Sequence, residues 1–245
     1  MNFNLDFLRF RFIALIASVS FILVSLATIS IQQLQLGLDF TGGTLVEVGF
    51  TETVDPEEIR TYLEGKQIDA LVQAFGSDKD LLIKIPSSEN IENANIVIDS
   101  LQQQYSFQLR RSGFVGPQVG GELRDQGGLG LLAALLVMMI YIMFRFQYKF
   151  AIGAVVALFH DVLIVLGIFS ILRLEFDLSV LAALMAVIGY SLNDTIVVSD
   201  RIRENFRAKR KLNSEQVINR SLNNTLGRTL ITSLTTLLVL FSLLF

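Results

Sequence analysis

The carboxylate of Asp194 lies inside an apolar stretch of the sequence, residues 178–199, that is otherwise uncharged. A stretch of this length and composition is typical of a membrane helix. A charged side chain near the middle of a bilayer costs roughly 2.5 to 3.5 kcal/mol on insertion scales, so its presence indicates function. The alternative is an interfacial residue that only marks the end of the span, but Asp200 already provides such a marker. Asp194 is therefore a candidate functional residue.

A second polar site interrupts the apolar stretch 150–172, where His160 and Asp161 are adjacent. Both fall near mid-depth of the predicted helix, so the pair must face other helices or water rather than lipid. Histidine exchanges protons near neutral pH, which favours a proton relay. The alternative is a packing pair that forms hydrogen bonds between helices. Arg228 has two interpretations as well: a counter-charge for Asp194, or a cation whose long side chain reaches the membrane surface.

The composition assigns the chain to a class of protein and excludes several kinds of site. Hydrophobic residues make up 52% of the 245 residues and charged residues only 18%, which indicates a membrane protein. There is no cysteine and only one histidine, so we predict no disulfide, no thiolate chemistry, no metal site and no cofactor. A net charge of -3 argues against binding to nucleic acid.

Five apolar stretches are long enough to cross a bilayer at 1.5 Å per residue. They cover residues 12–31, 126–144, 150–172, 178–199 and 229–245. We therefore predict three parts: an N-terminus and first span over 1–32, a polar domain over 33–125, and four further spans over 126–245.

The distribution of basic residues predicts the orientation of these spans. The stretch 200–228, predicted as a loop, carries eight Lys or Arg against three acidic residues. Because positive residues are enriched on the cytoplasmic side, this loop and the N-terminus with Arg9 and Arg11 are predicted inside, and 33–125 outside. Attraction to anionic lipid explains the basic loop without a protein partner. Docking on an acidic or RNA-rich cytoplasmic partner is the open alternative.

Residues 33–125 carry their own strand and helix signals. Alternating apolar residues predict a strand over 44–50, and Asp55 followed by Pro56 is a typical helix start. Two short strands, a second helical repeat and a last strand follow; these segments are 69–75, 80–85, 91–105 and 106–114. The order β-α-β-β-α-β is ferredoxin-like. The predicted fold is thus an α-helical membrane bundle with an inserted α+β extracytoplasmic domain.

Two glycine-containing motifs flank this domain. LDFTGGT, residues 38–44, includes Asp39, Gly42 and Gly43, and it lacks the length and the lysine of a phosphate-binding loop. FVGPQVGGEL, residues 114–123, includes Gly116, Pro117 and Gly120. We interpret both as structural turns at the points where the chain leaves and re-enters the membrane. Glycines at 127, 128 and 130 are a weak signal for close helix packing.

Five strings taken together identify a resemblance to a known family. They are LDFTGGT, FVGPQVG, HDV, GYSLNDTIVVSDRIRENFR and RTLITSLTTLL, in this order along nearly the whole chain. The chain resembles the SecF family, the smaller half of the bacterial SecDF protein-export accessory, within the resistance-nodulation-division transporter superfamily. The family has six spans, whereas this sequence stops inside the fifth, so we expect the sixth span to be absent or the sequence to be truncated.

The resemblance carries functional expectations. It implies SecD as a partner, association with the SecYEG channel and YajC, and a bacterial inner-membrane location. It also implies that proton flow drives the outer domains to help a translocating unfolded polypeptide leave the channel. The family's proton-relay carboxylate falls on Asp194 and its arginine on Arg228; His160 and Asp161 are further relay candidates.

Two other functions are considered. One is half of a proton-coupled small-molecule exporter of the same superfamily, for which a domain of about 90 residues is small. The other is an intramembrane hydrolase built on Ser191, His160 and either Asp161 or Asp194. No motif in the sequence supplies the oxyanion hole that a hydrolase requires. We therefore predict a transport subunit and not an enzyme.

Overall fold

The computed structural model describes residues 5–86, 92–145, 148–208 and 212–244. It divides into two compact units. The membrane unit comprises Met1–Gln33, Ala134–Arg173 and Ala182–Phe245, and the second unit comprises Leu34–Ala133 and Leu174–Leu181. We call the second the outer unit, after the side of the membrane on which the sequence predicts it. The outer unit therefore includes the segment 174–181, which the predicted domain 33–125 leaves out.

The elements follow one another in a simple order. They are a 3₁₀ turn Phe7–Phe10, α1 Arg11–Gln32, β1 Gln35–Leu36, α2 Leu38–Thr41, β2 Gly43–Phe50, α3 Pro56–Gly65, β3 Leu71–Phe75, β4 Ser77–Pro86, α4 Glu92–Gln102, β5 Phe107–Val115, α5 Pro117–Arg145, α6 Tyr148–Ile171, β6 Glu175–Phe176, α7 Leu178–Ala208 and α8 Ser214–Leu244. Residue Ile91, placed in the second helical repeat by the sequence pattern, lies outside the described residues.

Five helices are long and apolar enough to cross a membrane, which confirms the predicted number of spans within the described chain. They are Phe7–Gln32, Pro117–Arg145, Phe150–Ile171, Leu178–Ala208 and Ser214–Leu243. Helix α5 begins at Pro117, nine residues before the predicted span 126–144. The proline stands at the first helical position, where its missing N–H has no partner to lose.

The loop predicted over 200–228 is wrong, since helix α7 continues to Ala208 and helix α8 already begins at Ser214. The two helical extensions are joined by a buried hydrogen bond in which Asn205 Nδ2 donates to Ser221 Oγ at 2.9 Å. A run of charges is typical of a loop, but here the charged segments lie on two helices that this hydrogen bond joins. Basic residues 209–211 of the predicted loop lie outside the described residues.

The four-stranded sheet of the outer unit has the order β3-β4-β2-β5, and all neighbouring strands are antiparallel. Strands β2 and β3 lie on either side of β4, which is the split β-α-β arrangement of the ferredoxin-like fold. Side chains of the strands and of helices α3 and α4 form the core, including Val46, Val48, Ile59, Leu63, Leu81, Ile83, Val97 and Leu101. The predicted β-α-β-β-α-β order is confirmed.

The first helix of this domain starts where the sequence indicated. Asp55 is the N-cap of α3, and its Oδ1 accepts a hydrogen bond from Glu57 N at 3.0 Å. Pro56 stands at the first helical position. The cap satisfies one of the backbone N–H groups that a helix start leaves without a partner.

A second, two-stranded sheet was not predicted. Strand β1 pairs in parallel with β6, with Gln35 opposite Glu175. Lys84 of β4 forms an ion pair with Glu175, in which both side chains are less than one-fifth exposed. Phe40 stacks on Phe176 with ring centroids 6.1 Å apart. These contacts hold segment 174–181 in the outer unit.

Candidate functional site

Three polar side chains meet between helices α6 and α7. His160 Nδ1 lies 2.9 Å from Asp161 Oδ1, and Ser191 Oγ donates a hydrogen bond to Asp161 Oδ2 at 2.5 Å. His160 is twelve residues from the start of α6 and eleven from its end, or about 18 and 17 Å at the helical rise. The cluster therefore lies near the middle of a membrane-crossing helix. The predicted pair His160–Asp161 makes a contact with the neighbouring helix. That contact is the hydrogen bond from Ser191 of α7 to Asp161.

Asp194 lies one turn of α7 beyond Ser191. Residues three apart in a helix share a face, with Cβ atoms about 5 to 6 Å apart. Asp194 is partly buried, and within the described residues no side chain forms a hydrogen bond or an ion pair with its carboxylate. Ser191 and Asp194 thus lie on neighbouring turns of one face of α7, and Ser191 forms a hydrogen bond to Asp161 of α6.

Arg228 is not brought to Asp194. Its side chain is exposed on α8, and among the described residues no ion pair joins the two. The interpretation of Arg228 as a counter-charge for Asp194 stays a prediction, and this arrangement does not contain the pair. Its exposure agrees with a side chain that reaches toward the surface of the bilayer.

The hydrogen-bond order bears on the chemistry that the cluster can perform. In a Ser-His-Asp hydrolase the serine hydroxyl gives its proton to the imidazole, and the carboxylate orients the imidazole. Here Ser191 donates to Asp161, and the carboxylate stands between the hydroxyl and the ring of His160. This order does not activate Ser191 as a nucleophile. A hydroxyl both donates and accepts hydrogen bonds, so the arrangement is suited to passing a proton between carboxylates.

The two glycine motifs predicted as separate turns pack against each other, and the second is not a turn at Pro117 and Gly120, because both residues lie in helix α5. A Cβ at Gly42 would lie 2.7 Å from Pro117 Cα, and one at Gly120 would lie 2.8 Å from Gly42 N. Gly116 has room for a side chain, because the nearest atom to its Cβ would be 3.8 Å away. Asp39 bonds to another part of the chain, since its Oδ2 accepts a hydrogen bond from Leu178 N, 3.2 Å away at the start of α7.

Gly43 makes the tightest backbone approach of the first motif. Its φ is +144°, and a Cβ there would lie 2.3 Å from the carbonyl oxygen of Ile85 on strand β4. No side chain can be added without moving β2 away from β4. Position 43, where strand β2 begins, therefore requires a residue without a side chain.

Gly43→Ala is expected to destabilise the outer unit by roughly 2 to 4 kcal/mol, because both the contact with Ile85 and the backbone conformation are unfavourable for alanine. Gly113→Ala is the matched control, since nothing lies within 4 Å of a Cβ at Gly113. Thermal unfolding of the detergent-purified protein measures both. Equal unfolding temperatures for the two variants would contradict the assigned role of Gly43.

Close packing of membrane helices occurs at a glycine that the sequence did not indicate. A Cβ at Gly167 of α6 would lie 2.8 Å from Ser25 Cα of α1, and Ser25 is 4% exposed. Of the predicted glycines, only position 127 is close-packed: a Cβ there would lie 2.8 Å from Leu181 Cδ2, whereas nothing lies within 4 Å of one at Gly128 or Gly130. Small residues let helix backbones approach, but the sequence alone does not show which ones do so.

Comparison with known proteins decides the family. The family model described as protein export membrane protein SecD/SecF, C-terminal, matches residues 96–245, and the SecD/SecF GG motif matches residues 28–54. The protein translocase subunit SecF of Vibrio alginolyticus is 45% identical over 98% of this chain and 78% of its own length. The chain belongs to the SecF family. The range matched by the GG motif contains Gly42 and Gly43, and Gly43 is the first residue of strand β2.

Other relatives agree with this assignment. The protein translocase subunit SecF of Pseudomonas aeruginosa is 46% identical over 99% of this chain and 80% of its own length. Membership of the family and five membrane-crossing helices make the chain a multi-pass membrane protein of the protein-export system.

Two solved structures share the fold. The crystal structure of SecDF, a translocon-associated membrane protein from Thermus thermophilus, superposes with a TM-score of 0.89 at 34% identity. It matches 99% of this chain, which spans about a third (34%) of that longer polypeptide. A structure of SecDF in a super-membrane-facing form gives a TM-score of 0.73. The membrane bundle with an inserted α+β domain is thus the fold of the corresponding part of SecDF.

Proposed function

We propose that this SecF-family chain is a subunit of a proton-motive-force-coupled accessory of the Sec protein translocase, which assists late translocation and release of exported proteins. The observation that carries the proposal is the hydrogen-bonded cluster of His160, Asp161 and Ser191 between two membrane helices, with Asp194 one turn away. Ionisable groups at this depth are costly, and a proton pathway is a function that requires them.

In the proposed step a proton moves between Asp194 and Asp161 through the hydroxyl of Ser191. The proton that Ser191 gives to Asp161 Oδ2 is replaced by the proton that Asp194 releases, so the serine is unchanged at the end. Before the step Asp161 carries the negative charge, and afterwards Asp194 carries it. His160 stays in contact with Asp161 Oδ1 and can pass that proton further, because either ring nitrogen of an imidazole can carry a proton.

A displacement of helix α7 that follows a change of its charge can be transmitted to the outer unit through the start of the same helix. The first turn of α7 is bonded to Asp39, and the preceding strand β6 is held by the ion pair of Glu175 with Lys84. We infer that a proton-driven displacement of α7 pulls on these two contacts. The outer domain would then follow the protonation state of the membrane helices.

The names of the relatives support a SecD-type partner and a place in a protein translocase. The resemblance to the SecF family further implies the SecYEG channel with YajC, and the translocating unfolded polypeptide, as proposed partners. The proposed location is the bacterial inner membrane, with the N-terminus in the cytoplasm and the outer unit outside. The distribution of basic residues supports this orientation. Proton transfer and mechanical work require no covalent chemistry on a substrate, so the proposed role is not enzymatic.

Export into membrane vesicles tests the proposal. Vesicles depleted of this chain should complete export of a translocation intermediate more slowly, and adding the chain with its SecD-type partner should restore the rate. A protonophore should remove the restored part only. Equal completion with and without an imposed proton gradient, in vesicles that contain the complex, would refute the coupling.

A further inference from the structure

A cavity of about 620 Å³ lies where helix α5 ends and helix α7 extends beyond its apolar part. The residues that line it are Arg145, Asp200, Arg203, Glu204, Arg207 and Ala208. All six belong to the membrane unit. The cavity is large enough for a phosphate group with its glycerol, and it opens to the surroundings of the helices.

The charges of this cavity are unevenly paired. Asp200 lies 3.9 Å from Arg145, and Glu204 accepts a hydrogen bond from Arg201 at 2.8 Å. Both acidic side chains of the lining therefore have a basic partner. Arg203 has a buried Nε that makes no hydrogen bond within the described residues, and Arg207, which is exposed, forms no ion pair there.

A buried guanidinium N–H without an acceptor is unfavourable, because the group has lost its water and gained nothing in return. The side chains of Arg203 and Arg207 both line the cavity, and an anion with several oxygen atoms bound there would supply acceptors for their N–H groups. Phosphate is the closest match, since two arginine side chains can hold its oxygens through paired, charge-assisted hydrogen bonds.

The depth of the two arginines indicates which phosphate is available. Arg203 is 25 residues beyond Leu178, the first residue of α7, and Arg207 is 29 residues beyond it. At 1.5 Å per residue these positions are about 37 and 43 Å along the helix. The hydrocarbon core is about 30 Å thick, and the headgroups extend the bilayer to about 40 to 45 Å. Counted from residue 199, where the apolar stretch ends, Arg203 lies about 6 Å further along the helix, at the level of the headgroups. Arg207 lies about 12 Å further along, and its long side chain can reach back to that level.

We propose that Arg203 and Arg207 form a binding site for the phosphate of an anionic phospholipid, such as phosphatidylglycerol or cardiolipin. Basic cavities between membrane helices on the cytoplasmic side bind such headgroups. The proposal differs from a general attraction of basic residues to the membrane because it assigns two particular side chains and one cavity. It does not depend on the proton-coupled function.

Native mass spectrometry of the full chain in detergent tests this site with added phosphatidylglycerol and phosphatidylcholine. We expect the wild-type chain to bind phosphatidylglycerol more tightly, and the double variant Arg203→Gln, Arg207→Gln to lose about tenfold in that affinity. Arg220→Gln is the matched control: it removes one exposed charge from helix α8, outside the cavity lining. Its affinity should stay within about twofold of the wild type.

Further measurements distinguish a lipid phosphate from free phosphate, and they provide a variant to use if the double variant does not fold. Arg207→Gln alone changes an exposed side chain in the last turn of α7, and we expect about a threefold loss of phosphatidylglycerol affinity. This variant decides the question if the double variant does not fold. Displacement of the lipid by millimolar inorganic phosphate would overturn the lipid assignment in favour of a free anion. Equal losses in Arg207→Gln and Arg220→Gln, or equal binding of phosphatidylcholine, would overturn the site.

Discussion

Asp194→Asn is expected to abolish the proton-gradient-dependent part of protein export while the membrane complex still assembles. Asparagine keeps the size and the hydrogen-bonding capacity of the side chain, but it cannot take up or release a proton. If the charge at this position must change in each cycle, the membrane potential contributes about 2.3 kcal/mol per charge per 100 mV, and the variant loses that contribution completely. The measurement is the rate of export into vesicles with an imposed proton gradient.

Asp200→Asn serves as the matched control for this prediction. It makes the same chemical change on the same helix, six residues further along, at a side chain that is 57% exposed. Its loss should leave gradient-driven export near the wild-type rate, because the paired partner Arg145 is also exposed. If the Asp194→Asn protein still stimulated export fully, Asp194 would not belong to the proton pathway, and the proposed pathway would be refuted at its central residue.

Local patterns in the sequence were sufficient for much of the fold. Alternation at Val46 and Val48 predicted a strand with one buried face, and both side chains are fully buried in β2. The cap at Asp55 and the following proline predicted the start of α3 to the residue. Apolar length predicted five spans. Each of these features depends on neighbours within about a turn or a strand, which a sequence displays directly.

Contacts between distant residues could not be predicted in this way. Gly42 and Gly120 are 78 positions apart, and nothing in either motif indicates that their backbones touch. Lys84 and Glu175 form an ion pair between strand β4 and a segment next to the membrane. The end of α7 was missed for a related reason: its charged residues are typical of a loop, but Asn205 bonds to Ser221 of the next helix.

The candidate site was also predictable from the sequence only where its residues are close neighbours along the chain. His160 and Asp161 are adjacent in the sequence, so an ionisable pair inside an apolar stretch was visible at once. Ser191 was visible only as a hydroxyl near Asp194. Its contact with Asp161 joins two helices and depends on how these helices pack, which hydrophobic periodicity does not specify. The hydrolase hypothesis named the right residues, but the observed hydrogen bonds join them in another order.

Ser191→Ala is expected to slow gradient-driven export by roughly 10- to 100-fold, with little effect on the amount of complex in the membrane. The change removes the hydrogen bond to Asp161 Oδ2, and hydrogen bonds to charged groups contribute about 1.5 to 3 kcal/mol. It also removes the hydroxyl through which the proposed proton transfer between Asp194 and Asp161 passes. Ser191→Thr keeps the hydroxyl and should keep most of the rate.

A double-mutant cycle with Asp161→Asn separates this role from simple packing. If Ser191 acts through Asp161, the double variant should be no slower than Asp161→Asn alone, because the partner of the hydroxyl is already lost. Independent packing defects would instead multiply in the double variant. Ser199→Ala, eight residues further along α7, controls for the loss of any serine from this helix. Two results would show that the hydroxyl of Ser191 takes no part in proton transfer. One is an equal export rate for Ser191→Ala and Ser199→Ala. The other is a loss of rate in Ser191→Thr as large as that in Ser191→Ala.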